Sequence, residues 1–294
     1  MQTLTFFFYR PLLWLGNSIF DRFNVLQTLN CSRTVAQNWL SLIESKYRKN
    51  SYHNSTHAAD VMQATAYFLM SERLKTLFDP LDQAICLIAA IIHDVDHPGR
   101  NSAFLSNSNH ELAVLYNDMY VLLYNIDLFD SILICFLFLS LKHSSVLESH
   151  HAAYAFRLTV LGPDSDRVNI FKNLDRETYR ECRQSIIDMV LATEMTKHFE
   201  HLTKFVRTFQ SFNIVDDEQL TINLDKYKNI DVDDDDDNIS TTTTVSDLAT
   251  PENIVLIKRM LIKCADVSNP GRPTKLCEIW ANRIASEYCD QVIK

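Results

Sequence analysis

Glycine is scarce: Gly16, Gly99, Gly162 and Gly271 are the only four in 294 residues. Sandwiches, barrels and doubly wound sheets turn often and rely on glycine at left-handed turn positions, so this shortage argues against them and for an all-α chain. Paired cysteine is missing as well. The seven cysteines, at positions 31, 86, 135, 182, 264, 277 and 289, are odd in number and include no close Cys-x-x-Cys pair. That pattern argues against a disulfide framework or a zinc knuckle and fits a reducing, cytoplasmic setting. Positive charge is also in short supply, with 28 Lys and Arg against 37 Asp and Glu and a net charge of −9. A nucleic-acid-binding surface is therefore not expected. Much of the acidic excess lies in the run Asp233 to Asp237, so the folded part is closer to neutral.

Long apolar runs are absent too. The most apolar stretch, Ile132 to Leu139, lies between Asp130 and Lys142. A membrane-spanning helix needs about 20 apolar residues, so no span is expected. The segment Met1 to Leu15 lacks a basic start and a small-residue cleavage site. It reads as the first docked segment of the domain, with a signal peptide as the minor alternative.

What is present is helical periodicity within a chain that is 47% hydrophobic, enough to build a core. Val35, Trp39, Leu42, Ile43 and Tyr47 recur at helical spacing, as do Val61, Ala64, Thr65, Phe68 and Leu69. The stretch Gln184 to Phe212 reads as one long helix. Pro251 opens another, through Ile254, Ile257, Met260, Leu261 and Cys264, as proline does in a first turn. Two segments stand apart. Residues 214–250, acidic and then threonine-rich, read as a solvated, disordered loop rather than a calcium site. Residues 119–144 are apolar on all sides where their neighbours are amphipathic.

Chemistry concentrates in His93-Asp94-Val95-Asp96-His97-Pro98-Gly99, which follows the apolar run Leu87 to Ile92 and packs four metal-capable side chains into five positions. Unpaired charge in apolar surroundings is costly, so such a cluster is either paired internally or holds a metal, and a metal is the better reading. His57 and Asp266 are further candidates near the ends of apolar helices. Taken alone, a histidine at a helix end is more often a hydrogen-bonded structural residue. Imidazole with carboxylate suits a borderline ion such as zinc, and a site rich in carboxylate and water suits magnesium or manganese.

Five blocks carry a resemblance: Tyr52-His53-Asn54-Ser55-Thr56-His57-Ala58-Ala59-Asp60-Val61, His93 to Gly99, Leu147-Glu148-Ser149-His150-His151, Leu191-Ala192-Thr193-Glu194-Met195, and Ala265 to Pro270. In order and type they resemble the catalytic domain of class I cyclic-nucleotide phosphodiesterases. The text around them is most similar to the type 8, high-affinity cAMP-specific branch. The likeness runs from about Leu12 to the end, apart from the two segments that stand apart. It implies a compact multi-helix, HD-type catalytic domain acting on a small-molecule cyclic nucleotide and hydrolysing cAMP to 5′-AMP.

The same resemblance implies two divalent ions, usually Zn²⁺ and Mg²⁺ (or Mn²⁺), sharing a hydroxide. Their ligands would be His57, His93, Asp94 and Asp266, with Asp94 bridging. His97, Glu148 and Thr193 would order the water around the second ion. His53 would be the general acid and Glu287 the carboxylate that orients it. Asn269, Trp280 and Ile284 match positions of the nucleotide pocket, and Tyr52 is either pocket wall or helix lead-in. Without the family, Trp280 and Ile284 read as core and Asn269 as a turn residue.

Departures from the family shape further expectations. Its purine-binding glutamine and base-clamping phenylalanine lie well beyond the metal aspartate, and Gln291 comes too early to match. A partial catalytic domain, truncated at its C-terminus and preceded by no regulatory domain, is therefore expected. Joining Asp118 to Ser145 restores the family pattern, so 119–144 reads as a retained intron or gene-model error, with an extra helical hairpin as the rival. Two other function classes stand beside the enzyme. One is an inactive scaffold, and the other is a different HD-type nucleotide phosphohydrolase, which the Tyr52 to Val61 and Ala265 to Pro270 blocks disfavour.

Overall fold

The computed structural model describes residues 10–122, 145–210 and 249–292, with backbone only at 117–122, 210 and 292. Every regular element among them is helical, in agreement with the all-α expectation. In chain order the helices are α1 (Pro11–Arg22), α2 (Val25–Thr28), α3 (Arg33–Lys46), α4 (Ser55–Leu69), α5 (Glu72–Leu77), α6 (Pro80–Ile92), α7 (Ser102–Asn107) and α8 (Glu111–Leu122). They continue with α9 (Val146–Phe156), α10 (Ser165–Val168), α11 (Arg176–Ala192), α12 (His198–Gln210), α13 (Pro251–Asp266) and α14 (Thr274–Val292).

Four of these make the frame: α6 packs on α4 and α11, and α13 closes against α4 and α11. α6 can sit at the centre because nearly all its side chains are apolar, and every residue from Ala84 to Ile92 is buried. Its start is set by Asp79, which accepts from the Asp82 amide at 2.7 Å, followed by proline at the first helical position. α4 starts the same way, with Asn54 accepting from the amides of Thr56 and His57. α13 pairs polar side chains with its neighbours: Lys258 with Asp82, and Arg259 bidentately with Asp188 at 2.5 and 2.8 Å. Buried charge of this kind persists only when paired. α1 docks through Leu12, Ile19 and Phe20, so the docked-segment expectation holds from Leu12 onward.

The expected single helix from Gln184 to Phe212 is broken. α11 stops at Ala192, Glu194 leaves helical backbone (φ −46°, ψ 117°), and a 3₁₀ turn at Met195–Lys197 leads into α12. Apolar periodicity continues through the break, but tertiary hydrogen bonds override it. Residues 123–144 and 211–248, with most of the two segments that stood apart in the sequence, lie outside the described residues. Among the described residues no helix is long and apolar enough to cross a membrane.

Candidate metal centre

Three helix ends deliver the four expected ligands to one point. The Asn54 cap fixes the first turn of α4 and so directs His57 inward; His93 and Asp94 follow the last turn of α6; Asp266 is the last residue of α13. One ligand atom from each lies within 4.8 Å of all the others. His57 Nε2 is 3.0 Å from Asp266 Oδ1 and 3.4 Å from Asp94 Oδ2, and His93 Nε2 is 3.0 Å from Asp94 Oδ2 and 3.5 Å from Asp266 Oδ1. His93 Nδ1 donates to the Ala90 carbonyl at 3.0 Å, which leaves Nε2 as the nitrogen facing the carboxylates.

The arrangement fits a divalent ion. His57 Nε2 hydrogen-bonds Asp266 Oδ1, but His93 Nε2 is buried and, despite its close oxygens, makes no hydrogen bond of acceptable direction, which leaves a buried nitrogen donor facing two carboxylates. Two imidazole nitrogens and two carboxylate oxygens suit a borderline cation. Burial alone would lower both imidazoles and raise both carboxylates. The mutual attraction is larger: His57 and His93 are raised, and Asp94 and Asp266 are held below the usual carboxylate range. The pocket therefore favours positive charge at its centre, which a metal ion supplies in place of protons.

Of the four metal-capable residues in the His93–His97 cluster, Asp96 turns away. It adopts left-handed backbone (φ 63°), and its carboxylate accepts from Arg48 Nε at 2.7 Å and from His150 Nε2 at 2.9 Å. Gly99 is also left-handed (φ 70°), and a Cβ there would lie 3.0 Å from Asn50 Oδ1. Asn50 itself donates to the carbonyls of His97 (2.7 Å) and His53 (2.9 Å), tying the turn to the segment before α4. His97 Nδ1 accepts from the Gly99 amide, and burial with the neighbouring His53 pushes this imidazole well down, keeping it neutral.

His53 lies beside the ligand set with its ring stacked 3.9 Å from that of His97. Its Nδ1 pairs with Glu287 Oε1, while Glu287 Oε2 accepts from the amides of Tyr52 (2.8 Å) and His53 (3.1 Å). Burial would raise the Glu287 carboxyl, but the bond to His53 outweighs it and the net shift is downward. His53, Glu287, Asp94 and Asp266 open into a cavity of about 340 Å³, whose lining also includes Glu148, Thr193 and Glu194. Glu148 Oε2 is buried without a partner, and burial, reinforced by Glu194, pushes this carboxyl up to about 8.

Not every expected residue reaches that cavity. Tyr52, Asn269, Trp280 and Ile284 are absent from its lining. Three of them form a separate group against His57: the Tyr52 hydroxyl accepts from Asn269 Nδ2 at 2.6 Å, and the rings of Tyr52 and Trp280 stand 4.5 and 5.8 Å from the His57 ring. Ile284 is half-buried. His151 was missed as a site residue. It is fully enclosed, donates from Nδ1 to the Val95 carbonyl at 2.7 Å, and brings Nε2 to 3.9 Å from Asp94 Oδ1. Its signal was available, because His151 lies three residues after Glu148, on the same face of an apolar helix. A larger cleft of about 820 Å³, lined in part by Arg10, Arg48, Lys49 and Arg167, contains none of the ligand set.

Comparison with known proteins agrees with this geometry. The family model for 3′5′-cyclic nucleotide phosphodiesterase matches residues 52–123 and 135–294, passing over a stretch inside the apolar segment. The chain is 49% identical over 290 residues to the human "High affinity cAMP-specific and IBMX-insensitive 3′,5′-cyclic phosphodiesterase 8A", covering 96% of this chain and 29% of that protein. It is 47% identical over 283 residues to the Drosophila melanogaster "High affinity cAMP-specific and IBMX-insensitive 3′,5′-cyclic phosphodiesterase 8", covering 95% of this chain and 25% of that one. The chain thus spans less than a third of these relatives' length. Among solved structures, the phosphodiesterase domain of Salpingoeca rosetta rhodopsin phosphodiesterase superposes with a TM-score of 0.67 at 25% identity, over 94% of this chain and 65% of that one. The chain belongs to the 3′,5′-cyclic nucleotide phosphodiesterase family.

Proposed function

We propose that this chain hydrolyses the 3′-phosphoester bond of cAMP to give 5′-AMP, with Zn²⁺ and Mg²⁺ (or Mn²⁺) as its ions, in the cytoplasm. The observation that carries the reading is the His53–Glu287 pair beside the cluster of His57, His93, Asp94 and Asp266, with Asp94 and Asp266 lining the same cavity as the pair. A proton donor beside a divalent-ion site is what cleavage of a phosphodiester to an alkoxide leaving group needs. The choice of cAMP is supported by the relatives named cAMP-specific at 49% and 47% identity.

Each residue then has a task. His57, His93, Asp94 and Asp266 would hold the ions. Divalent ions held there would supply a hydroxide nucleophile at neutral pH and Lewis-acid stabilisation of the phosphodiester oxygens. His53, with Nδ1 committed to Glu287, presents Nε2 to the O3′ leaving oxygen and gives it the proton. Glu287 stabilises the imidazolium and fixes the ring through its bonds to two backbone amides. His97 stays neutral beneath the His53 ring and so does not compete for that proton. His97, Glu148 and Thr193, which line the cavity, would order water around a second ion. Tyr52, Asn269, Trp280 and Ile284 form the nucleotide side.

The test is cAMP hydrolysis with added zinc and magnesium, comparing the chain with Asp94→Ala. A loss of at least about 100-fold is expected, since even residues that merely support metal ligands cost 10–100-fold when replaced. Equal rates in the two proteins would remove the proposal.

A further inference from the structure

The break between α11 and α12 has no glycine or proline behind it, and its local bonds, such as Thr193 Oγ1 to the Val190 carbonyl, close the last turn without satisfying the carbonyls of Ala192 and Glu194. No glycine or proline occurs between Pro163 and Pro251, and Thr193-Glu194-Met195-Thr196-Lys197 contains no helix-stopping residue. Yet the helix ends at Ala192, Glu194 leaves helical backbone, and both Thr193 and Glu194 are buried in the cavity lining. A helix terminus leaves carbonyl groups without partners, and burial makes them costly unless something donates to them.

The donor comes from another helix. Lys263, on α13, is 2% exposed, and its ammonium donates to the Ala192 carbonyl at 2.7 Å and the Glu194 carbonyl at 3.0 Å. These carbonyls stand on either side of Thr193, so one ammonium grips the chain where it leaves the helix. A cation at a helix C-terminus also meets the negative end of the helix dipole. The charged groups facing this ammonium are Asp266, Glu148 and Glu194, all around the cavity. One turn further along α13 lies the ligand Asp266. The end of α13 therefore bears both a candidate metal ligand and the clamp for the 193–194 segment of the cavity lining.

We propose that Lys263 is a positioning residue for the metal centre: by capping Ala192 and Glu194 it ends α11 and holds Thr193 and Glu194 in the lining of the metal-site cavity. The inference rests on the metal-centre reading above and deepens it. Positioning and simple electrostatics predict opposite results. Removing a cation near carboxylates would by itself tighten binding of a metal ion, whereas loss of the clamp disperses the wall and weakens it.

The experiment uses zinc-loaded chain, Mn²⁺ as the probe for the second site with free ion read by electron paramagnetic resonance, and hydrogen–deuterium exchange over residues 192–198. Lys263→Met keeps the buried stem and removes the donors. It is expected to retain zinc stoichiometry and helical content, to weaken Mn²⁺ binding about 10-fold, as for other residues that support metal sites, and to exchange faster at 193–197. Lys263→Gln, which keeps a neutral donor, is expected to fall between wild type and Lys263→Met, and it carries the test if Lys263→Met does not fold. Unchanged or tighter Mn²⁺ binding with unchanged exchange overturns the proposal, as does failure of both variants to fold, which would make Lys263 a strut for the whole domain. Absence of Mn²⁺ binding in the wild type would count against the metal-centre reading instead, while the exchange data still decide the clamp.

Discussion

Two turns bring chemistry to the same cavity, and they are held in different ways. The turn after α6, residues 93–99, is built from residues suited to it: Asp96 and Gly99 take left-handed backbone, and Asp96 is held by Arg48 and His150. The turn after α11, residues 193–197, has no such residue and bends because Lys263 reaches across from α13. The first is a local conformational choice reinforced by its neighbours. The second is imposed from outside, so the two walls of one site differ in what can loosen them.

Acid and base should separate the walls most strongly in the metal-free protein. His151 anchors the first turn at Val95, and burial pushes its imidazole down to about 4 from an ordinary 6.5. The unfolded chain binds this proton more readily, so stability is full above about pH 6.5 and is lost as pH falls toward 4, by about 3 kcal/mol at roughly 1.4 kcal/mol per pKa unit. Glu148, on the second wall, is pushed up to about 8 from 4.5, and the sign reverses. Its contribution is full below the unfolded value and is lost as pH rises through about 8. Urea midpoints between pH 4 and 8.5 for wild type, His151→Gln and Glu148→Gln should show each variant removing one of these opposite slopes. If the two variants flatten the same limb, the walls are not electrostatically distinct.

Substitutions probe the same contrast at smaller scale. Asp96→Ala removes two charge-assisted bonds from the first turn and is expected to cost about 2 kcal/mol in chemical denaturation, Arg48 being too exposed for its pair to count fully. Gly99→Ala places a Cβ 3.0 Å from Asn50 Oδ1 in left-handed backbone, an expected cost of about 1 kcal/mol. Thr193→Val, on the second turn, loses only the hydroxyl bond to the Val190 carbonyl, and a change of about 0.5 kcal/mol is expected. Its larger effect should be on Mn²⁺ binding. A stability loss at Thr193 as large as that at Asp96 would show that the second turn is locally determined after all.

Much of this was legible in the chain. The apolar run of α6 and Pro251 at the start of α13 act through neighbouring residues, and each appears where local rules place it. The ligand set was legible only with the family resemblance, because His57 and Asp266 are more than 200 residues apart and no local pattern joins them. The end of α11 was not legible, since the deciding donor lies 71 residues from the carbonyl it caps. Nor was the separation of Asp96 from its neighbours: left-handed backbone at one residue redirects a carboxylate that composition alone groups with Asp94 and His97.

The sequence by itself determined the helical class, the starts of the main helices and which side chains can bind a metal or move a proton, because these depend on side-chain chemistry and on contacts within a few residues. Only the tertiary structure decided where α11 ends, that His151 backs Asp94, that Asp96 is a strut, and that Tyr52 and Trp280 pack against His57 rather than lining the carboxylate cavity. The physical reason is common to all four. Buried carbonyls, carboxylates and rings must find partners, and in a packed helical domain those partners come from whichever helix lies nearest in space.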